Sequence, residues 1–212
     1  MLGQDDGEWA VRRTCTMLTD FGEVDPYVAS MKGVLLSRAP GVQLIDLSHQ
    51  IPPQDGNRGS IFWGDCLRWF PTDTVHLGVV DPGVGTERKI CVAEAEGRVL
   101  VCPDNGLLTD WWNAANQPRA FEVTRGDLWQ PDVSSTFHGR DIFSPIAAAL
   151  VTGEVRPEEC GPQITPVLLN RPSFEKISDG VRGHVRLVDH FGNCVMNIPG
   201  TLFPPGSSLC LN

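Results

Sequence analysis

Apolar positions along this chain fall in short blocks separated by stretches with helical spacing. The blocks Cys15–Thr19, Val42–Leu47 and Val75–Val80 are predominantly apolar, as strands covered on both faces are. Val28, Met31, Val34 and Leu35 line one face of a helix between the first two blocks, and Ile61, Trp63, Leu67 and Phe70 line another after the second. Ile90–Ala95 and Val99–Cys102 flank Glu96-Gly97-Arg98, which predicts a hairpin. Further helices are expected over Leu107–Ala115 and Ile142–Leu150, the second closed by Gly153. This alternation predicts an α/β domain over 14–163, a mostly parallel sheet with flanking helices. The texture then changes. "GPQITPVLLNRPS" is rich in proline, and "GVRGHVRLVDHFGNCVMNI" alternates without an intervening helix, so a boundary is expected near 163–172 and a smaller all-β domain over 172–212.

Composition narrows the partners. The chain has 212 residues, 41% of them hydrophobic, enough for a core without staples. Its formal net charge of -9 and the lack of any Lys or Arg run disfavour nucleic acid and anionic membranes. Seven cysteines, odd in number, scattered and without a C-x-x-C pair, suggest neither zinc nor a disulfide framework. They fit reduced thiols in the cytoplasm. The opening "MLGQDDGEWAVRR" has no apolar core of a signal peptide and is expected to be a loose extension.

Candidate chemistry lies where the strands end. In open α/β sheets ligands bind beyond the carboxyl ends of the strands. Here those ends read "TDFG" with Asp20, "DLSH" with Asp46 and His49, "DPGVG" with Asp81, and "CPDNG" with Asp104 and Asn105. Asp and Gly are also ordinary turn residues, but their recurrence on one expected edge favours a site. Gly83-Val84-Gly85 leads into a charged turn and a strand rather than a helix, so it is weak as a phosphate cradle. Asp81 and Arg88, across that glycine-rich loop, are the more informative pair. His138 in "SSTFHGRDIFSP" lies in a turn before a helix, a usual place for a working imidazole. Phe137 beside it is either core or a ring for a planar ligand. Arg140 and Asp141 can cap that helix. His49, His76, His184 and His190 are read as structural.

"LTDFGEVDPYVASMKG", "VVDPGVGTERK", "PDNGLLT", "STFHGRDIFSPIAA" and "DHFGN", in that order, closely resemble the S-adenosyl-L-methionine (SAM) hydroxide adenosyltransferases, or SAM hydrolases, relatives of the fluorinase and chlorinase enzymes. The resemblance covers about residues 15–198. It implies cleavage of SAM by water to adenosine and L-methionine, without a cofactor, in a homotrimer whose sites lie between one subunit's α/β domain and the next subunit's β-barrel domain. It implies a water-activating set of Asp81, Arg88 and His138. Asp20 matches the carboxylate that holds the ribose hydroxyls, and Asp25 and Phe137 fall in the matching substrate-binding segments. Asp189, Phe191 and Asn193 match residues that a neighbouring subunit contributes. The halogenating relatives lack the aspartate at 81 and the histidine at 138, which places this sequence with the water-using branch. The family continues with further strands beyond the position of Asn212, so the barrel-like domain is expected to be incomplete. It also carries an aromatic where this chain has Gln54.

Attack at the ribose 5' carbon joins an oxygen nucleophile to a sulfonium, so a dry pocket favours the transition state. The departing thioether needs no acid, and what remains is to hold and deprotonate one water. Asp81 and His138 are expected to do this while Arg88 orients it. Two other readings are a metallohydrolase using Asp20, His49, Asp81 and His138, for which no H-x-H or H-E-x-x-H spacing exists, and a protein that senses SAM or adenosine without turnover.

Overall fold

The computed structural model describes residues 12–178, 180–202 and 206. β1 (Thr14–Thr19), α1 (Tyr27–Arg38), β2 (Gln43–Ser48), α2 (Gly56–Cys66) and β3 (Thr74–Val79) alternate as the apolar pattern predicts, except that α2 ends at Cys66 and Phe70, expected on its face, follows a 3₁₀ turn in extended backbone. β4 (Ile90–Ala95) and β5 (Arg98–Pro103) form the expected hairpin, and Glu96 and Gly97 both take the positive φ that a tight two-residue connection demands. α3 (Thr109–Ala114), β6 (Arg119–Glu122), α4 (Ser144–Thr152) and β7 (Gln163–Ile164) follow.

These strands form one 7-stranded sheet in the order β2-β1-β3-β5-β4-β6-β7. Pairing is parallel from β2 through β5 and antiparallel from β5 through β7. The parallel half comes from the strand–helix repeats and the antiparallel half from the hairpin and the short β6 and β7, which periodicity did not reveal. Alternate residues of a strand serve opposite faces. Met17, Leu77, Val99 and Val101 meet α1 and α4 through Met31, Leu35, Ile146 and Leu150. Leu18, Leu100 and Cys102 meet the other layer through Trp63, Leu67, Leu107 and Trp111. Gly78 makes room for the Trp63 ring, since a Cβ there would stand 2.3 Å from Cζ2. Burying a side chain of this size contributes roughly 2–3 kcal/mol.

The helix expected from Ile142 has a more particular start. A wide π turn spans Gly139–Phe143, and regular α4 begins at Ser144. Pro145 has no N–H to donate four residues back, which frees the Asp141 carbonyl, and Gln130 N–H takes it at 2.8 Å. Ser144 Oγ donates to the Gly139 carbonyl at 2.8 Å, bracing the turn. The C-terminal end is as expected, with Gly153 left-handed at φ 75°.

Two compact units divide between Leu169 and Asn170. In the second, β8 (Glu175–Ile177) pairs with β9 (Gly180–Arg182), and β10 (Val185–Val188) pairs with β11 (Cys194–Met196), in separate sheets. Ile198 is the one buried side chain among the described residues of this unit. They form hairpins, and no barrel closes among them. Residues 1–11 of the expected N-terminal extension lie outside the described residues; Arg12 is anchored, its N–H donating to Val151 O at 2.8 Å. No helix among the described residues is long and apolar enough to cross a membrane.

Candidate active site

Parallel pairing brings the carboxyl ends of β1, β3 and β5 to one edge, and Thr19 stands opposite Val79. Asp20, Asp81 and Asp104 therefore follow neighbouring strands. Beyond Asp81 the chain makes tight turns, with Thr86 N–H and Oγ both donating to Gly83 O, and returns Arg88 to its start. Arg88 Nε and Nη2 donate to Asp81 Oδ2 at 2.9 and 2.6 Å. The same Nη2 lies 2.7 Å from His138 Nδ1. The Asp81 and Arg88 side chains are 4% and 10% exposed, so this is a buried ion pair. The guanidinium also lies over the Phe143 ring, 5.1 Å from its centroid, and Phe143 belongs to the π turn.

The two glycines serve this closure. At Gly83 a Cβ would stand 3.2 Å from Arg88 Cγ, and at Gly85, with φ +77°, it would stand 2.6 Å from Ser135 O. Gly85 thus lets the Asp81–Arg88 loop lie against the segment that carries His138. Asp141 fixes that segment: its Oδ2 accepts the Ser134 N–H at 2.9 Å, and Arg140 clamps both its oxygens. Burial alone would raise the Asp141 pKa, but the Arg140 guanidinium and the Ser134 N–H hold it below the usual carboxylate range.

Arginine only donates, so His138 Nδ1 is the acceptor and the ring is neutral with its proton on Nε2. Burial, and then the Arg88 charge, lower the His138 pKa and favour that neutral form. Asp81 Oδ2 is taken twice by Arg88, whereas Oδ1 is buried and receives no hydrogen bond from any described residue. A bare carboxylate oxygen in such a place is suited to hold and deprotonate a small donor.

Asp20 is held differently. Its Oδ2 accepts the Gln54 N–H at 2.7 Å. Gln54 sits at φ 64°, a left-handed conformation uncommon outside glycine, between Pro52-Pro53 and Asp55, which caps α2. Burial and, less strongly, the Asp81 charge raise the Asp20 pKa, against the Gln54 N–H and Asp20's own backbone. Phe21, Tyr27 and Phe137 meet edge to face or tilted nearby, with centroids 5.0 to 6.2 Å apart, and Arg140 covers the Phe137 ring. Phe137 is therefore both core-facing and half-buried, while Asp25 is exposed.

Asp104 and Asn105 serve the loops around the site. Asp104 Oδ1 accepts the Val167 N–H at 2.7 Å, and Asn105 Nδ2 donates to Val80 O at 2.9 Å, steadying the residue before Asp81. His76 is fully buried against Thr16 Oγ1. Among the described residues no His, Cys, Asp or Glu side chains converge in a group able to hold a metal.

Residues 15–161 match the family model for the SAM hydroxide adenosyltransferase N-terminal domain. The chain belongs to the SAM hydroxide adenosyltransferase family. A Salinispora tropica protein of that lineage, named (R)-S-adenosyl-L-methionine hydrolase, is 42% identical over 191 residues, 88% of this chain and 72% of its own length. A Thermus thermophilus protein of the same name is 41% identical over 194 residues, 88% of this chain and 74% of its own. The crystal structure of an uncharacterized conserved protein from Thermotoga maritima matches with a TM-score of 0.82 at 35% identity, over 89% of this chain and 73% of that one.

Within the family frame, the residues expected from the second unit form one ordered loop. Asp189 Oδ1 accepts the N–H groups of Phe191 and Asn193, its Oδ2 accepts Asn193 Nδ2, and Phe191 is left 86% exposed. Sequence reading missed Gln54 as a holder of Asp20 and Phe143 as a platform for Arg88. The signal for the first is the Pro-Pro-x-Asp-Gly turn string; for the second there is only apolar character within a helix.

Proposed function

We propose that this chain hydrolyses SAM to adenosine and L-methionine by substitution at the ribose 5' carbon. The observation that carries this reading is Asp81 Oδ1, buried and unclaimed, on a carboxylate fixed through its other oxygen by an arginine that also engages a neutral histidine. The names of the relatives at 42% and 41% identity agree with it. Water attacks the 5' carbon, the carbon–sulfur bond breaks, and the sulfur keeps the electron pair and leaves as the neutral thioether of methionine. The water loses one proton to Asp81 and the other becomes the hydroxyl hydrogen of adenosine. Arg88 offsets the charge of the carboxylate and fixes its rotamer. His138, its Nδ1 engaged by Arg88, positions that guanidinium rather than sharing the proton.

Asp20 is assigned to the ribose hydroxyls, with Asp25 and Phe137 beside it. Asp189, Phe191 and Asn193 serve a neighbouring subunit in a homotrimer, which the exposure of Phe191 supports. In that assembly the hairpins of the second unit become part of a barrel-like domain. SAM is the substrate and no cofactor is invoked. The net charge of -9 argues against nucleic acid, and the free thiols of the described cysteines suit the cytoplasm. Incubation with SAM in ¹⁸O-labelled water tests the reading: label is expected at the 5' hydroxyl of adenosine. Unlabelled adenosine, or binding without methionine release, refutes it.

A further inference from the structure

A polar chain runs behind Asp20 and ends on its own loop. Lys32 Nζ lies 2.5 Å from Asp46 Oδ2, and His49 Nε2 lies 3.0 Å from Asp46 Oδ1, off the line of a good hydrogen bond and so mainly electrostatic. His49 Nδ1 is 2.8 Å from Thr19 Oγ1, and Thr19 Oγ1 accepts the Phe21 N–H at 3.3 Å. The His49 carbonyl in turn accepts the Gly22 N–H at 2.8 Å. Both residues are buried, His49 at 3% and Thr19 at 0% exposure. Asp20 is thus bracketed: Thr19 before it and Gly22 after it are bonded to His49, and Phe21 is bonded to Thr19. Its carboxylate is tied to Gln54, a few residues further along the same segment.

We infer that His49, which is not expected to touch substrate, is a positioning residue that fixes the Asp20 loop through Thr19. The direction of the bonds follows from their chemistry. The Asp46 carboxylate attracts a proton on Nε2, which leaves Nδ1 as an acceptor for the Thr19 hydroxyl. That hydroxyl keeps a lone pair for the Phe21 N–H. A ring with its proton on Nδ1 would make that oxygen accept both N–H groups and leave its own O–H without an acceptor among the described residues. Each bond in this order polarises the next, and all three constraints act on the backbone on either side of one carboxylate.

The proposal rests on the reading of Asp20 as the ribose acceptor. His49→Ala and Thr19→Val each break the chain, whereas His49→Asn keeps an acceptor for Thr19. A misplaced charged acceptor weakens a bidentate hydroxyl contact by about tenfold or more. We expect KM for SAM and Kd for adenosine to rise about tenfold in both breaking variants, with kcat changing by less than about threefold. Their double variant is expected to be no worse than either alone, and His49→Asn to recover most of the affinity. A merely structural role would lower the melting temperature and the amount of active protein without this split or this non-additivity. Two-dimensional ¹⁵N spectroscopy reads the tautomer directly, with the proton expected on His49 Nε2. Unchanged affinity in both breaking variants, additive losses, or a proton on Nδ1 overturns the inference. Wild-type protein with the expected tautomer that neither binds adenosine nor cleaves SAM instead refutes the function and leaves the tether standing.

Discussion

Asp81→Asn separates the proposed base from the ion pair that holds it. Asparagine has the same shape, and the two Arg88 donors that meet Oδ2 at 2.9 and 2.6 Å will draw its oxygen to that side. Its NH2 then occupies the position of the bare Oδ1, replacing an acceptor by a donor. General-base assistance supplies about 10²–10⁴ in rate, so turnover should fall by that range, about 3–5 kcal/mol in the barrier. Stability should fall less. Removing one partner of a buried pair costs about 3–5 kcal/mol, but Arg88 keeps a neutral acceptor, His138 and the Phe143 face, which brings the loss to about 1–3 kcal/mol. The assay pairs chromatography of released adenosine with calorimetric adenosine binding and urea denaturation. Affinity should stay near the wild-type value. Turnover within about threefold of wild type would remove Asp81 from the chemistry.

Asp20→Ala should weaken adenosine binding by about tenfold or more, because a carboxylate accepting from hydroxyl donors is lost; equal affinity by calorimetry counts against that role. Gly85→Ala should lower both turnover and stability, since it forces a side chain onto φ +77° and places a Cβ 2.6 Å from the Ser135 carbonyl; wild-type melting and turnover together would show that the loop contact is dispensable. His76 is held neutral with its pKa pushed down to about 3, by burial and then by Arg98 and Arg12. The unfolded chain takes up its proton near the ordinary value of about 6.5, so His76's contribution is complete above that pH and is lost as pH falls from it toward the folded value. Denaturation at about pH 7 and about pH 5 should differ by about 2 kcal/mol from this group alone, and His76→Gln should flatten the slope by that amount. An unaltered slope assigns the acid sensitivity elsewhere.

The α/β class, the hairpin and the edge carrying Asp20 and Asp81 were legible in the sequence. Each depends on a local period: apolar blocks and helical stripes alternate, parallel strands result, and their carboxyl ends share one edge whatever the loops do. The ordered motifs likewise carry the family in the sequence alone. Local pattern was silent on β6 and β7, too short to carry a period, and on the π turn, because a helical stripe looks the same whether a turn closes on four residues or five. Only tertiary structure decided that Arg88 takes one oxygen of Asp81 and leaves the other bare, and that His138, 50 residues from Arg88 in the chain, meets it at 2.7 Å. It alone turned Gln54's amide toward Asp20 and His49 toward Thr19. Such contacts depend on loop dihedrals and on the apposition of segments far apart in the chain, such as Gly85 against Ser135, and no period of neighbouring residues encodes those.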